Sequence, residues 1–130
     1  MSVQRVIKTD NAPKAIGPYS QAILQDGWLY ASGQIGMDPA SGELRNGDLS
    51  EEVEQIFSNL RAVVRAAGGE LHDVVRCTVY MTDLGEFQTM NAVYARHFEQ
   101  HKPARATVGV ASLPKGARVE IDCVAFLGRD

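Results

Sequence analysis

Near its C-terminal end the chain reads Arg118-Val119-Glu120-Ile121-Asp122-Cys123-Val124-Ala125-Phe126-Leu127, and the spacing of this stretch decides the fold class. Val119, Ile121, Cys123, Ala125 and Leu127 alternate with Arg118, Glu120 and Asp122, the two-residue period of a strand with one side on a core. Its other side starts polar and continues with Val124 and Phe126. The same alternation recurs at Val75, Cys77, Val79 and Met81 against Arg76, Thr78 and Tyr80. Upstream, residues 3–7, 19–24 and 28–34 predict shorter strands, the last two joined by Asp26-Gly27, a hairpin turn pair. Residues 36–49 carry Pro39, Gly42 and Asn46-Gly47-Asp48 and predict a surface loop.

Two segments change to the helical period. Val53, Ile56, Phe57, Leu60, Val63 and Val64 form the stripe of a helix with one buried face. Ser50 is its predicted N-cap, Glu51 and Glu52 suit its positive end, and Gly68-Gly69 supply the stop. A second helix is predicted from about 84 to about 100, opened by an Asp83–Glu86 capping box. Phe87, Met90, Tyr94 and Phe98 face inward, and Asn91 sits at the edge of that face, where its amide needs partners. Runs of strands with only two helices argue for an α+β fold, one sheet covered on one face. The uncovered face is then expected to hold Arg105, Thr107, Arg118, Glu120 and Asp122.

The 130 residues, 45% of them apolar, suit a single domain over 1–130, since halves would bury too little apolar surface. No apolar run approaches the roughly 18 residues of a membrane span. The opening MSVQRVIKTD reads as neither a secretory signal nor a basic transit peptide, so a cytoplasmic setting is expected. Cys77 and Cys123 fall in two strands and read as small buried hydrophobes in a reducing compartment. A net charge of −3, with no base-stacking aromatic patch apparent, argues against nucleic acid as the partner. His97 and His101 have helical spacing, but no Glu follows His97 and no third ligand is evident, so no metal is expected. A histidine cation opposing the helix dipole is the simpler role. Ser20 and Ser32 lie in no nucleophile elbow, and no glycine-rich phosphate loop appears. Neither covalent nor metal-assisted catalysis is expected, and no cofactor.

The remaining candidates are fewer. Arg105 opens a predicted strand in Pro103-Ala104-Arg105-Ala106-Thr107, where it serves either as a solvated rim charge or as a planar fork for a carboxylate. Glu120 is either a surface carboxylate or salt-bridge partner, or a catalytic acid. Gly17-Pro18-Tyr19 makes a turn followed by an aromatic hydroxyl suited to covering a pocket. Ser32-Gly33-Gln34 closes a strand, its glycine permitting either a ligand's close approach or a bulge.

Together, Gly17-Pro18-Tyr19-Ser20-Gln21-Ala22, Ser32-Gly33-Gln34, Met90-Asn91 with Tyr94 and Phe98, Pro103-Ala104-Arg105, and Leu113-Pro114-Lys115-Gly116 before Val119-Glu120-Ile121 resemble the Rid/YjgF family of reactive-intermediate deaminases. The resemblance spans nearly the whole chain. It implies a mixed sheet with two helices on one face, like that of the Bacillus-type chorismate mutase, and a homotrimer with clefts between subunits. It further implies hydrolysis of 2-iminobutanoate, 2-iminopropanoate and their enamine tautomers to 2-oxo acids and ammonia. On matching positions, Arg105 would clamp the substrate carboxylate and Glu120 would position or activate water. Tyr19, Ser32, Gly33, Asn91 and Thr107 would line the substrate site. Position 107 is a departure, since better-known deaminases of the family carry cysteine there. If it contributes through its backbone carbonyl, threonine serves; if the thiol shapes the pocket, substrate preference differs. Three other readings stand beside this one: a deaminase for another catabolic enamine or imine, an RNA-directed ribonuclease or translation inhibitor, and a trimer that binds small carboxylates without turnover.

Overall fold

The computed structural model describes residues 2–128; residues 1, 129 and 130 of the expected 1–130 domain lie outside the described residues. Six strands, β1 (Gln4–Ile7), β2 (Ala22–Gln25), β3 (Trp28–Gln34), β4 (Val74–Met81), β5 (Ala104–Gly109) and β6 (Val119–Phe126), form one sheet in the order β1-β2-β3-β6-β4-β5. All neighbours are antiparallel except the β4–β5 pair, so the sheet is mixed. The last strand in sequence lies inside the sheet, between β3 and β4. Helices α1 (Leu49–Ala66) and α2 (Phe87–His97) pack on one face, where Val53, Ile56, Phe57, Leu60, Met90, Ile121 and Val119 are almost wholly buried.

Most elements fall where the pattern places them, and the differences have local causes. Helix α1 begins two residues early because Leu49, four residues before Val53, extends the buried stripe. Asp48, not Ser50, therefore caps it, its Oδ1 accepting the Glu51 N–H at 2.8 Å. The Asp83–Glu86 capping box does not form: Asp83 accepts the Gly85 N–H, residues 84–86 make a 3₁₀ turn, and α2 runs only from Phe87 to His97. Tyr19, Ser20 and Gln21 precede β2 rather than extending it, and the Gln21 amide is spent on backbone groups of Thr9 and Pro13. A register shift between Val74 and Arg76 puts Val74 into the core and leaves Val75 exposed, reversing the expectation for that valine.

Polar groups on α1 tie the loop after β3 to the core. The Glu52 carboxylate, with no exposure, accepts both the backbone N–H and the Nε–H of Arg118 at 2.8 Å. Asn59 Nδ2 donates to the carbonyls of Ile35 and Met37. Arg118 is thus turned toward α1 and does not join the uncovered face. Arg118→Met leaves a buried carboxylate without its counter-charge and is expected to cost about 3 kcal/mol, read as a lowered urea midpoint. Val75→Thr, at the exposed bulge, is expected to stay within about 0.5 kcal/mol.

Candidate active site

The two residues of greatest chemical interest fall on opposite sides of the sheet. Glu120 pairs with Tyr80, and Asp122 with Thr78, on the face that no helix covers. Arg105 and Thr107 instead stand opposite Cys77 and Val79, which face the helices. The expectation that Arg105 and Thr107 share the uncovered face with Glu120 is therefore corrected. Parallel pairing with β4 sets their direction, because paired residues point to the same side.

Arg105 is held by α2. Its Nη1 donates to Asn91 Oδ1 at 2.7 Å, and its guanidinium carbon lies 4.6 Å from the Tyr94 ring centroid and 5.4 Å from that of Phe87. Two aromatic rings and one amide orient the fork while leaving most of its N–H groups uncommitted. The partner expected for Asn91 is Arg105. Beside this cradle, Thr107 Oγ1 and the Tyr94 hydroxyl are buried without a hydrogen-bond partner among the described residues. Burial pushes both the Tyr94 phenol and the Cys77 thiol beside it upward, the thiol to about 11, so both stay protonated at neutral pH.

Glu120 lies across the sheet in a cavity of about 520 Å³ whose lining includes Tyr19, Ser32, Gly33, Met37 and Lys115. A bulge at the end of β3 brings Gly33 against the carboxylate: a Cβ there would sit 1.9 Å from Glu120 Oε2. Only glycine fits. Ser32 Oγ donates to the Ser20 carbonyl at 2.6 Å, tying the Gly17–Tyr19 turn to β3, so its hydroxyl is already committed. The Glu120 carboxylate has no hydrogen bond or ion pair among the described residues, and burial, reinforced by nearby Asp122, raises its pKa. Such a group can accept a proton from a bound water.

One chain therefore gathers Tyr19, Ser32, Gly33 and Glu120 in one place, and Asn91, Arg105 and Thr107 in another. Lys115 is a member of the first group that sequence reasoning passed over; it adopts φ 58°, a left-handed backbone uncommon outside glycine. The roles of Phe87 and Tyr94 as platforms for Arg105 were also hidden, although their spacing around Asn91 marked the right helix face. His97 does not act as a free helix-end cation: it stacks on Phe57, contacts Glu54 through Nε2 at 2.8 Å and meets Arg61 at Nδ1.

The uncovered face also departs from expectation at its far end. Trp28, Tyr30 and Phe126 share it with Val6, Ile23 and Val124, and the Trp28 and Phe126 centroids are 4.6 Å apart. This is an exposed aromatic patch, contrary to the reading that none exists; the strand register alone assembles it. The ionisable groups nearby on that face include Arg76, Tyr80, Glu120 and Asp122.

Residues 9–127 match the family model described as endoribonuclease L-PSP. The chain is 49% identical to the human 2-iminobutanoate/2-iminopropanoate deaminase over 126 residues, covering 97% of this chain and 92% of that protein. Among solved structures, a Yersinia pestis protein of the conserved Rid family superposes with a TM-score of 0.93 at 44% identity, covering 95% of this chain and 99% of the other. RidA from an Antarctic Psychrobacter gives 0.90 at 46%, with 94% and 98% covered. No helix among the described residues is long and apolar enough to cross a membrane.

Gly33→Ala is expected to drive the Glu120 carboxylate from its place while leaving the fold intact. The check is an unchanged far-UV circular dichroism spectrum with a shifted Glu120 carboxyl carbon resonance.

Proposed function

This chain belongs to the Rid family matched by the endoribonuclease L-PSP model, and from that premise we propose that it is a 2-iminobutanoate/2-iminopropanoate deaminase, hydrolysing reactive imino acids to 2-oxo acids and ammonia. The observation that carries the reading is the pairing of an oriented guanidinium with a base free of partners: Arg105 in its Asn91–Tyr94–Phe87 cradle, and Glu120 against Gly33.

Arg105 holds the substrate carboxylate through two parallel N–H donations. Glu120 accepts a proton from water as the water oxygen bonds to C2 of the protonated imine. The resulting amino alcohol receives that proton from Glu120 at nitrogen, the C2–N bond breaks, and ammonia leaves with its electron pair. The second hydroxyl proton returns to solvent as the 2-oxo group forms. An imine is already electrophilic, so orientation and a proton carrier supply what the step requires. Thr107 and Tyr19 line the substrate, Thr107 with its unpartnered hydroxyl beside Arg105.

Since Arg105 and Glu120 point to opposite sides of one sheet, a complete site takes Arg105 from one chain and Glu120 from a neighbour. The homotrimer that the family resemblance implies provides this, with three sites between subunits. The exposed cluster of Val6, Trp28, Tyr30 and Phe126 supports the assembly, because a monomer gains nothing by leaving it to water. The two free, buried cysteines fit a cytoplasmic setting. The aromatic patch also gives the RNA-directed reading its one support. Against that reading, Glu120 and Asp122 stand on the same face and would repel phosphates.

Imine made in place by a dehydratase acting on threonine or serine is expected to decay faster when the protein is added. Glu120→Gln should lower the enzymatic rate by at least about 100-fold, within the range of acid–base groups, and Arg105→Ala, which removes the carboxylate clamp, by at least about 100-fold through lost substrate orientation. Subunits of the two variants, unfolded together in equal amounts and refolded, should regain about a quarter of the wild-type sites, because random closed trimers pair an intact Arg105 with an intact Glu120 at that frequency. No recovery from correctly sized trimers would show that the site is not shared in this way.

A further inference from the structure

Glu120 has a second carboxylate as its neighbour. Asp122 lies two residues along β6 on the same face, and the Tyr80 hydroxyl donates to its Oδ2 at 3.0 Å. Tyr80 is the cross-strand partner of Glu120, not of Asp122, yet its hydroxyl reaches diagonally to the aspartate. The bond fixes Asp122 on the face it shares with Glu120 and commits the hydroxyl of Glu120's own cross-strand partner to Asp122. Burial and the bond to Asp122 both push the Tyr80 phenol up, so it remains a donor at neutral pH.

From this arrangement we propose that Asp122, held by Tyr80, is a positioning residue that acts through Glu120, strengthening it as a base toward the attacking water. The inference rests on the deaminase reading. Burial disfavours the charged form of the Glu120 carboxyl, and the negative charge of Asp122 on the same strand face disfavours it further. A carboxylate with raised proton affinity takes the water proton more readily. The other titratable or charged groups facing Glu120 are Tyr80 from β4, Lys14, Tyr19 and Lys115 around the cavity and, in the shared site proposed above, Arg105 of the neighbouring chain; Gly33 on β3 brings none. Among these groups Asp122 is the one that brings a negative charge to the face of Glu120.

The sign of the effect follows from linkage. A base with a raised pKa loses its charge, and the enzyme its activity, as pH falls through that raised value. Asp122→Asn keeps an oxygen for the Tyr80 hydroxyl and removes the negative charge. The acidic limb of the kcat profile should then move to lower pH, with KM for the imine little changed, and Asp122→Glu should restore the wild-type limb. Independently of turnover, the Glu120 carboxyl carbon resonance should titrate at lower pH in Asp122→Asn than in the wild-type protein. An unmoved limb, or an equal loss of rate at every pH with an unmoved Glu120 titration, would overturn the proposal and assign Asp122 a structural role. If wild-type protein fails to hydrolyse imine, the deaminase reading fails, while the resonance titration still decides whether Asp122 tunes Glu120.

Discussion

The alternation of side chains along β6, in the interior of the sheet, is the constraint on which both the core and the site depend. Val119, Ile121, Cys123 and Ala125 are buried beneath the helices, and this obliges Glu120, Asp122, Val124 and Phe126 to point the other way. A shift of one residue would put two carboxylates into the core, a cost of several kcal/mol for each unpaired charge. The same register sets Glu120 opposite Tyr80 and lets β3 bring Gly33 against it. Glu52 on α1 secures the start of the strand by gripping Arg118.

Arg105 obeys the same rule with the opposite result. Its strand runs parallel to β4 at the sheet edge, and the pairing with Cys77 turns the guanidinium toward α2. Asn91, Tyr94 and Phe87 then orient it. In the function proposed above, Arg105 and Glu120 are anchored to one sheet but face apart, which is why the completed sites are there drawn from association. The apolar end of the uncovered face, with Trp28 and Phe126 in contact, supplies the surface that association would bury.

Much of this was legible before any fold was in view. The alternation at 119–127, the stripe from Val53 to Val64 and the Asp26-Gly27 turn each report a local rule, and each element formed. Gly33 was open to two readings, a ligand's close approach or a bulge; the strand bulges there, and the neighbour it admits is the chain's own Glu120. The errors share one origin. Val75, Arg105, Thr107 and Arg118 were assigned faces by counting along the chain, whereas a bulge, a parallel register and a buried acid on α1 decided them. Ser50 lost its capping role because a buried Leu49 lengthened the helix.

By itself, the sequence determined the period of every major element, the one-sided core and the identity of the groups able to do chemistry, because each depends on residue type and near-neighbour spacing. Tertiary structure alone decided which of those groups meet. The direction of an edge-strand side chain is set by hydrogen-bond register with a strand more than twenty residues away, and the Trp28–Tyr30–Phe126 patch exists only when β3 and β6 pair. Neither leaves a trace in local spacing, because the free energy that selects them comes from contacts between segments far apart in the chain.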